Sequence, residues 1–424
     1  MRRLASVPLL LLLAAPAAAE NWPQWRGPKN DGHSTEKGLP DKWSDTENVV
    51  WKVKMPGPGS STPCVWGDRM FLTSADGTDL VVLCVGTDGK DKWKTVIGGG
   101  GDKFVQGKEG NYASASCSTD GKLVFAFVGD GHLAALDFDG NAKWTVDTQK
   151  VYGKYDIVYG GHWTPVLHKG NLYVTLMHRG AQLIVAFDAA TGKEKWKAER
   201  ASDSRKGSES PDVYTSPFVW EKGDKALLVV HGNDYCTGHE LGDGKEVWRV
   251  TELNPKAKYN GAWRAVSNPL VTPDLIVVPS CKNGVTVGID PNIAKGDIKP
   301  GDAAAGELWR IGKDTPDVPS PLLVDGTVYI WKENSNLLAY DAKTGAKTGE
   351  VKVNNERNRA NPVFADGKLI LVGREGTMAT AKPGKEPELL HKMKLPDTFT
   401  SSPAVSGGRI YLRGWNTLYA IGVK

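Results

Sequence analysis

The feature that most constrains the fold of this sequence is a unit that recurs eight times along the chain. In its clearest copy, Pro165 begins a short apolar run, residues 170–174 form a second, and a third leads into Asp188 and the segment Thr191 to Trp196. Proline is tolerated at the first residue of a strand, where its missing N–H does no harm. A Thr-Gly pair between two such runs is typical of a hairpin turn. Each unit therefore predicts four short antiparallel strands.

The starting position of the unit recurs at steps of 54, 48, 52, 52, 52, 41 and 41 residues. It is occupied by Pro63, Cys117, Pro165, Pro217, Pro269, Pro321, Pro362 and Pro403. A tryptophan closes the first five units, at Trp93, Trp144, Trp196, Trp248 and Trp309, whereas the sixth and seventh units lack it. One four-stranded sheet cannot bury both of its faces, so the repeated Trp predicts an anchor that docks each sheet onto its neighbour.

The eighth unit lacks a fourth strand, and the missing strand lies at the other end of the chain. Residues 418–421 end the last unit, whereas residues 49–53 have the form of a closing strand with no unit before them. Pairing the two removes exposed sheet edges. The sequence therefore predicts an all-β fold, a single eight-bladed β-propeller of four-stranded antiparallel blades over residues 49–424, whose last blade is closed by the N-terminal strand.

Two segments fall outside the repeat. Residues 1–19 carry Arg2 and Arg3, an apolar centre and an A-x-A cleavage site, which predicts an export signal and a periplasmic or secreted protein. Residues 20–48 are expected to form an arm packed on the exterior of the propeller through Trp22, Trp25 and Trp43.

An insertion between Asp290 and Trp309 lengthens the last hairpin of the fifth unit. Its polar, Gly- and Ala-rich composition over residues 291–306 predicts a mobile loop on the face opposite the proposed binding site.

Charge and hydropathy exclude several partners. The chain has 53 Lys and Arg against 49 Asp and Glu, a net charge of +4, and no clustered basic excess. We therefore expect no nucleic-acid partner. No later segment approaches the roughly 20 apolar residues of a membrane span, and no cysteine follows the predicted cleavage site, so we expect neither a span nor a lipid anchor. We expect a monomer.

The five cysteines are too few and too scattered for a disulfide framework, and no C-x-x-C occurs. They are Cys64, Cys84, Cys117, Cys236 and Cys281. We expect them to act mainly as small buried apolar residues, with room for one disulfide.

The consensus A-x-D-x-x-T-G-x-x-x-W, seen from Ala186 to Trp196, resembles the tryptophan-docking repeat of the quinoprotein alcohol dehydrogenase-like superfamily. Residues 22–28, WPQWRGP, are similar to the start of exported pyrroloquinoline-quinone-like (PQQ-like) β-propeller repeat proteins. The outer-membrane assembly factor BamB uses the same repeat. This resemblance implies the fold and leaves the activity open, because the repeat marks blade packing.

In the enzymes of that superfamily, the resemblance implies a quinone held in the central channel by an adjacent Cys-Cys disulfide, a calcium ion and a catalytic Asp. No two cysteines are adjacent in this chain, and no position matches the calcium ligands or the catalytic Asp. We therefore expect no cofactor, no metal and no catalytic residue, with PQQ and calcium as the alternative.

Ligand sites in propellers form at the channel mouth, from loops that lead into the innermost strands. In this sequence those loops are rich in aromatic and basic residues. The candidate ligand-binding residues are His162, Trp163, Tyr214, Trp263, Arg264 and Arg359. Aromatic faces provide stacking and Arg provides forked donors, which suit a peptide, a sugar or an anionic small molecule.

The favoured function is a non-catalytic exported platform that binds a protein, peptide or carbohydrate at the channel mouth. The alternatives are a quinone-dependent oxidoreductase of the PQQ type and a hydrolase or lyase with an unrecognised acid–base pair.

Overall fold

The computed structural model describes residues 19–103, 110–205, 207–232 and 234–423. These residues form eight β-sheets around a central channel, as the sequence predicts. Except for Ala19, the predicted export signal lies outside the described residues.

The strands are numbered in chain order, and β1 (Val49–Lys54) precedes the first blade. Blade 1 contains β2 (Cys64–Trp66), β3 (Arg69–Asp76), β4 (Asp79–Gly86) and β5 (Asp91–Gly99). Blade 2 contains β6 (Ser118–Thr119), β7 (Leu123–Phe127), β8 (His132–Asp137) and β9 (Ala142–Asp147). Blade 3 contains β10 (Val166–His168), β11 (Asn171–His178), β12 (Ala181–Asp188) and β13 (Glu194–Glu199).

The insertion lies between the last two strands of blade 5 in the sequence, but its strand joins the sheet of blade 4. Blade 4 contains β14 (Phe218–Lys222), β15 (Lys225–Gly232), β16 (Tyr235–Glu240), β17 (Glu246–Val250) and β21 (Gly296–Ile298). Blade 5 contains β18 (Leu270–Val271), β19 (Ile276–Pro279), β20 (Thr286–Ile289) and β22 (Glu307–Ile311).

The remaining blades follow the same order. Blade 6 contains β23 (Leu322–Val324), β24 (Thr327–Trp331), β25 (Asn336–Asp341) and β26 (Lys347–Lys352). Blade 7 contains β27 (Val363–Ala365), β28 (Lys368–Val372), β29 (Thr377–Lys382) and β30 (Glu388–Lys394). Blade 8 contains β31 (Ala404–Ser406), β32 (Arg409–Arg413) and β33 (Thr417–Ile421). One α-helix, α1 (Thr148–Tyr152), and 3₁₀ turns at Lys256–Lys258 and Ala303–Ala305 lie between described strands.

Two predictions about the blades are confirmed: where the innermost strands begin and how the last blade is closed. Every innermost strand begins one residue after its predicted starting position, from Cys64 after Pro63 to Ala404 after Pro403. The N-terminal strand β1 pairs antiparallel with β33, with Trp51 opposite Ala420, and so completes blade 8.

The closing tryptophans dock each blade onto the next. Trp144 Nε1 donates to the carbonyl of Ala189 in the following blade at 3.0 Å. The hairpin residue Gly192 has φ +69°, and a Cβ there would lie 2.6 Å from the Trp144 ring. Glycine is therefore required both for the turn and for the contact. The same indole-to-carbonyl bond links Trp51 to Thr87, Trp93 to Phe138, Trp196 to Leu241 and Trp309 to Ala342.

The joint between blades 6 and 7, that is, the packing contact between these neighbouring blades, forms without a tryptophan. Gly349 stands opposite Ala339, where blades 1 to 5 and blade 8 place Trp. A Cβ on it would lie 2.5 Å from the carbonyl oxygen of Lys385. The next blade therefore packs directly on the backbone. Tyr329 provides the polar link, since its hydroxyl donates to Gly384 O at 2.9 Å.

The joint after the seventh blade is covered by the arm. Trp43 is 2% exposed and lies in a core shared by blades 7, 8 and 1. Its backbone N–H contacts Met393 Sδ at 3.2 Å, on the outermost strand of blade 7. The arm therefore provides at this joint the tryptophan that the seventh repeat lacks.

The expectation of a mobile loop at residues 291–306 is wrong. Strand β21 pairs in parallel with β17, with Trp248 opposite Gly296, and adds a fifth strand to blade 4. Ile298 is fully buried in this position. The insertion keeps Trp248 covered at 1% exposure, although Trp248 Nε1 has no hydrogen-bond partner among the described residues.

The arm also differs from expectation, because Trp22 and Trp25 do not pack on the exterior. Trp22 is fully buried and pairs with Val65 of the innermost strand of blade 1. Pro23 O accepts a hydrogen bond from Thr119 N in blade 2 at 2.9 Å. Arg26 Nη2 donates to Pro321 O, at the start of blade 6, at 2.7 Å. The arm thus crosses the end of the channel.

Candidate functional site

The channel is surrounded by a closed ring of hydrogen bonds, one from each blade to the next. In every blade the residue just before the starting position is Ser, Thr or Asn. Its backbone N–H donates to the side-chain oxygen of the equivalent residue in the next blade, at 2.6 to 3.1 Å. These eight residues, named here the polar belt, are Thr62, Ser116, Thr164, Ser216, Asn268, Ser320, Asn361 and Ser402.

The polar belt satisfies backbone groups that the blades leave unpaired. All eight side chains are buried, at 5% exposure or less, and a buried backbone N–H without a partner is costly. The last bond, from Ser402 N to Thr62 Oγ1 at 3.1 Å, joins blade 8 to blade 1. The belt is visible in the sequence as a hydroxyl or amide residue before every starting position.

A cavity of about 480 Å³ occupies the channel above the arm. Every blade contributes to its wall, and Trp25 of the arm lies at the end opposite the mouth. Six belt residues line it: Ser116, Thr164, Ser216, Asn268, Asn361 and Ser402. The volume lies within the range of about 300–1,000 Å³ that is usual for small-molecule sites.

Four of the six predicted site residues line this cavity: His162, Tyr214, Arg264 and Arg359. The structure thus brings together side chains from blades 3, 4, 5 and 7. Whether they bind a ligand stays a prediction.

Trp163 and Trp263 lie elsewhere. Trp163 is fully buried, packs on Phe127 with ring centroids 5.8 Å apart, and donates from Nε1 to Val213 O at 2.8 Å. It is therefore a core residue. Trp263 lines a separate cavity of about 20 Å³ beside His231. Sequence position placed both residues in mouth loops correctly but could not give the direction of their side chains.

The electrostatics of the cavity wall are mixed. Lys282, Arg264, Arg357 and Arg359 provide four cations, and Asp317 and Glu333 provide two carboxylates. Arg264 Nη1 contacts Glu209 Oε2 at 2.9 Å and its Nη2 lies 3.8 Å from Asp317 Oδ2. Burial lowers the Arg264 pKa, but the charges of Asp317 and Glu209 outweigh it and raise that pKa overall. Arg264 is thus held charged and fixed.

His162 and Tyr214 form the aromatic part of the wall. Their ring centroids are 5.3 Å apart. Burial lowers the pKa of His162 to about 4, so the ring is neutral at pH 7. Its Nε2 is buried without a hydrogen-bond partner among the described residues. Burial also raises the pKa of the Tyr214 hydroxyl, which stays protonated.

The mouth has two unequal sides. Loops 148–165, 200–217 and 251–269, named here the long-loop rim, lead into blades 3, 4 and 5. Loops 55–63, 312–321, 353–362 and 395–403, named here the short-loop rim, are about half as long and lead into blades 1, 6, 7 and 8. The long-loop rim exposes Val151 at 58% and Val158 at 46%.

Hydrogen bonds tie the three loops of the long-loop rim together. Tyr159 N donates to the Tyr214 hydroxyl at 3.2 Å, which joins the first loop to the second. Glu209 N donates to Gly261 O at 2.8 Å, which joins the second to the third. Arg179 binds Asp212 with two bonds of 3.0 and 3.1 Å. The long-loop rim is therefore a pre-organised surface.

The donor set of the channel does not match the quinone site that the resemblance implies. All five cysteines are buried and unpaired, which confirms their burial, and none of them lines the channel cavity. Among the described residues, no group of three or more His, Cys, Asp or Glu side chains is placed to hold a metal ion.

Within the described part of the chain, no helix has the length and apolar character that crossing a membrane requires.

Together, the eight four-stranded blades, most of them docked by a tryptophan, and the channel cavity define a β-propeller built from PQQ-like repeats. A family model described as outer membrane protein assembly factor BamB matches residues 42–146 and 129–293, more than half of the chain. The chain belongs to this family.

Individual relatives agree with this assignment. An outer membrane protein assembly factor BamB of Burkholderia pseudomallei is 21% identical over 368 residues, which cover 79% of this chain and 87% of the relative. The crystal structure of BamB from Moraxella catarrhalis matches with a TM-score of 0.64 at 14% identity, over 88% of this chain and 99% of that one. The quinohemoprotein alcohol dehydrogenase of Comamonas testosteroni matches with a TM-score of 0.68 at 14% identity, over 95% of this chain and 81% of that one. These structural likenesses show the fold.

Proposed function

We propose that this chain is a non-catalytic, exported platform that binds a protein or peptide partner at its channel mouth. Membership of the BamB family is the observation that carries this proposal, since the matching relative is described as an assembly factor. The predicted export signal supports a location in the periplasm or outside the cell.

The long-loop rim is the part of the mouth that suits such a partner. It exposes Val151 and Val158, and it contains Asp212, which forms an ion pair with Arg179. Exposed apolar side chains within a polar surround are typical of protein interaction sites. Because the loops are already tied together, little further ordering is needed on binding.

Site-specific photo-crosslinking in the cells that produce the protein tests this proposal. A crosslinking amino acid replaces Val158 on the long-loop rim, and a control replaces Ile293 in the insertion, where exposure is similar at 49%. We expect one discrete protein adduct from position 158 and none from position 293. Adding Val151→Asp to the position-158 variant should remove the adduct, whereas Lys313→Asp should not. Equal adducts from positions 158 and 293 would contradict the proposal.

The second candidate is a PQQ-dependent oxidoreductase, which the structural likeness to a quinohemoprotein alcohol dehydrogenase favours. The sequence has no adjacent cysteines, and the described residues contain no group of three or more His, Cys, Asp or Glu side chains placed to hold a metal ion. Both observations speak against it. An absorption spectrum of the purified protein, with and without added PQQ and calcium, separates the two. A stoichiometric bound chromophore would replace the platform proposal with this one.

A further inference from the structure

The polar belt has a directional property that concerns the cavity. Each belt hydroxyl already accepts a hydrogen bond from a backbone N–H, as Ser116, Thr164 and Ser216 do at 2.9 to 3.1 Å. A hydroxyl group carries one donor proton besides its lone pairs. No described residue accepts a bond from the hydroxyls of these three residues or of Ser402. Their protons are therefore left to donate into the cavity.

The two belt amides have the same polarity. Asn361 Oδ1 accepts from Ser320 N at 2.6 Å and Asn268 Oδ1 accepts from Ser216 N at 2.8 Å. Their Nδ2 groups are thus fixed as donors. Asn268 Nδ2 gives one proton to Val266 O at 3.3 Å and keeps the second. Since both residues line the cavity, the lower wall presents donors from six blades and selects for ligand atoms that accept.

The walls above the belt add charge and an aromatic face. Arg264 brings a charged, donor-only guanidinium group, which is already bonded to Glu209 at 2.9 Å. A guanidinium group favours a carboxylate. Trp25 provides an aromatic face at the closed end.

We propose that the channel cavity binds a sugar acid, a hydroxycarboxylate whose carboxylate and hydroxyl oxygens accept hydrogen bonds from the polar belt. The ring of such a ligand lies against Trp25, since sugar C–H faces and aromatic rings are complementary. A free sugar acid and the terminal uronate of a polysaccharide share this chemistry.

Calorimetric titration of the purified protein with D-glucuronate tests the proposal. D-glucuronamide, which replaces the carboxylate by a neutral amide of the same shape, and D-glucose are the matched ligands. We expect D-glucuronate to bind at least about tenfold more tightly than either, a difference of about 1.4 kcal/mol. Equal affinity for the three, or no binding of any at millimolar concentrations, overturns the proposal. A short oligouronate distinguishes a chain end from a free sugar acid.

Two variants locate the site. Asn361→Asp keeps the oxygen that accepts from Ser320 and replaces the Nδ2 donors, so D-glucuronate affinity should fall at least about tenfold. Asn171→Asp, on blade 3 beside Lys195, is the control and should leave affinity unchanged. Should Asn361→Asp fail to fold, Asn268→Asp serves in its place, since Asn268 Oδ1 accepts from Ser216 N in the same way. A folded variant that binds like the wild type would contradict the assignment. Since partner crosslinking at residue 158 is measured separately, this inference and the proposed function can fail independently.

Discussion

The inner and outer joints of this propeller follow different rules. Near the channel axis, all eight joints use one hydrogen bond between equivalent residues of the polar belt. At the outer edge, the joints use tryptophan in blades 1 to 5 and 8, a tyrosine and a bare glycine in blade 6, and the arm in blade 7. The blades are close together near the axis, so one geometry serves every joint. Farther out the space between blades grows, and several solutions fit.

The largest loss of stability is expected at the outer joint that the arm covers. Trp43→Ala should lower the free energy of unfolding by about 3–5 kcal/mol, the usual loss for a buried large aromatic side chain, because it empties the joint between blades 7 and 8. Trp43→Phe should cost much less, since Trp43 Nε1 has no partner among the described residues. Urea unfolding followed by circular dichroism measures both. Equal losses would show that the contact is polar.

Lowering the pH tests the burial of His162 beside the channel. The His162 pKa falls from its ordinary 6.5 to about 4 in the fold, so its contribution is complete above pH 6.5 and is lost as pH falls toward 4. The shift corresponds to about 3 kcal/mol. His162→Phe should therefore lose less stability than the wild type between pH 7 and pH 4 in urea unfolding. A parallel loss in the two proteins would contradict the burial of this ring.

The glycine joint gives a sharper comparison. Gly349→Ala places a Cβ 2.5 Å from Lys385 O and should destabilise by about 2–3 kcal/mol through overpacking. Gly242→Ala is the matched control, because nothing lies within 4 Å of its added Cβ. Thermal unfolding of both variants should show a lower melting temperature for Gly349→Ala alone. A neutral Gly349→Ala would mean that blade 7 can move away.

The smallest expected effect is at the polar belt. Ser216→Ala removes the acceptor of Thr164 N–H, bonded at 2.9 Å, and should cost about 1–2 kcal/mol. Ser216→Thr keeps the acceptor and should cost less. Hydrogen exchange at the Thr164 amide should accelerate in the alanine variant only. Unchanged exchange would show that this amide finds another acceptor.

The repeated positions of the sequence predicted the blades and their number. The pairing partner of the insertion and the path of the arm could not be predicted in this way. Proline and tryptophan recurrence gave the blade count, because both positions have one structural reason in every copy. The insertion was misread because its strand pairs with blade 4 rather than with its own hairpin, and composition does not reveal a partner. Trp22 and Trp25 resembled exterior anchors, yet their positions depend on where the arm crosses.

The candidate site shows the same limit. Loop position identified His162, Tyr214, Arg264 and Arg359 as cavity residues. It failed for Trp163, whose ring turns into the core between blades 2 and 3. Side-chain direction in irregular loops depends on neighbours that are distant in sequence, such as Val213 for Trp163.

The closure of the polar belt also depends on the number of blades. Each belt residue gives one backbone bond forward and receives one on its side chain, so a run of blades that does not close ends with one unused N–H and one unused oxygen. Those two groups meet only when blade 8 reaches blade 1. In a propeller with seven or nine blades, the angle between neighbouring blades would differ, and every belt bond would have to form across that different angle. The belt therefore favours eight blades through the closure of the whole ring and not through any single blade.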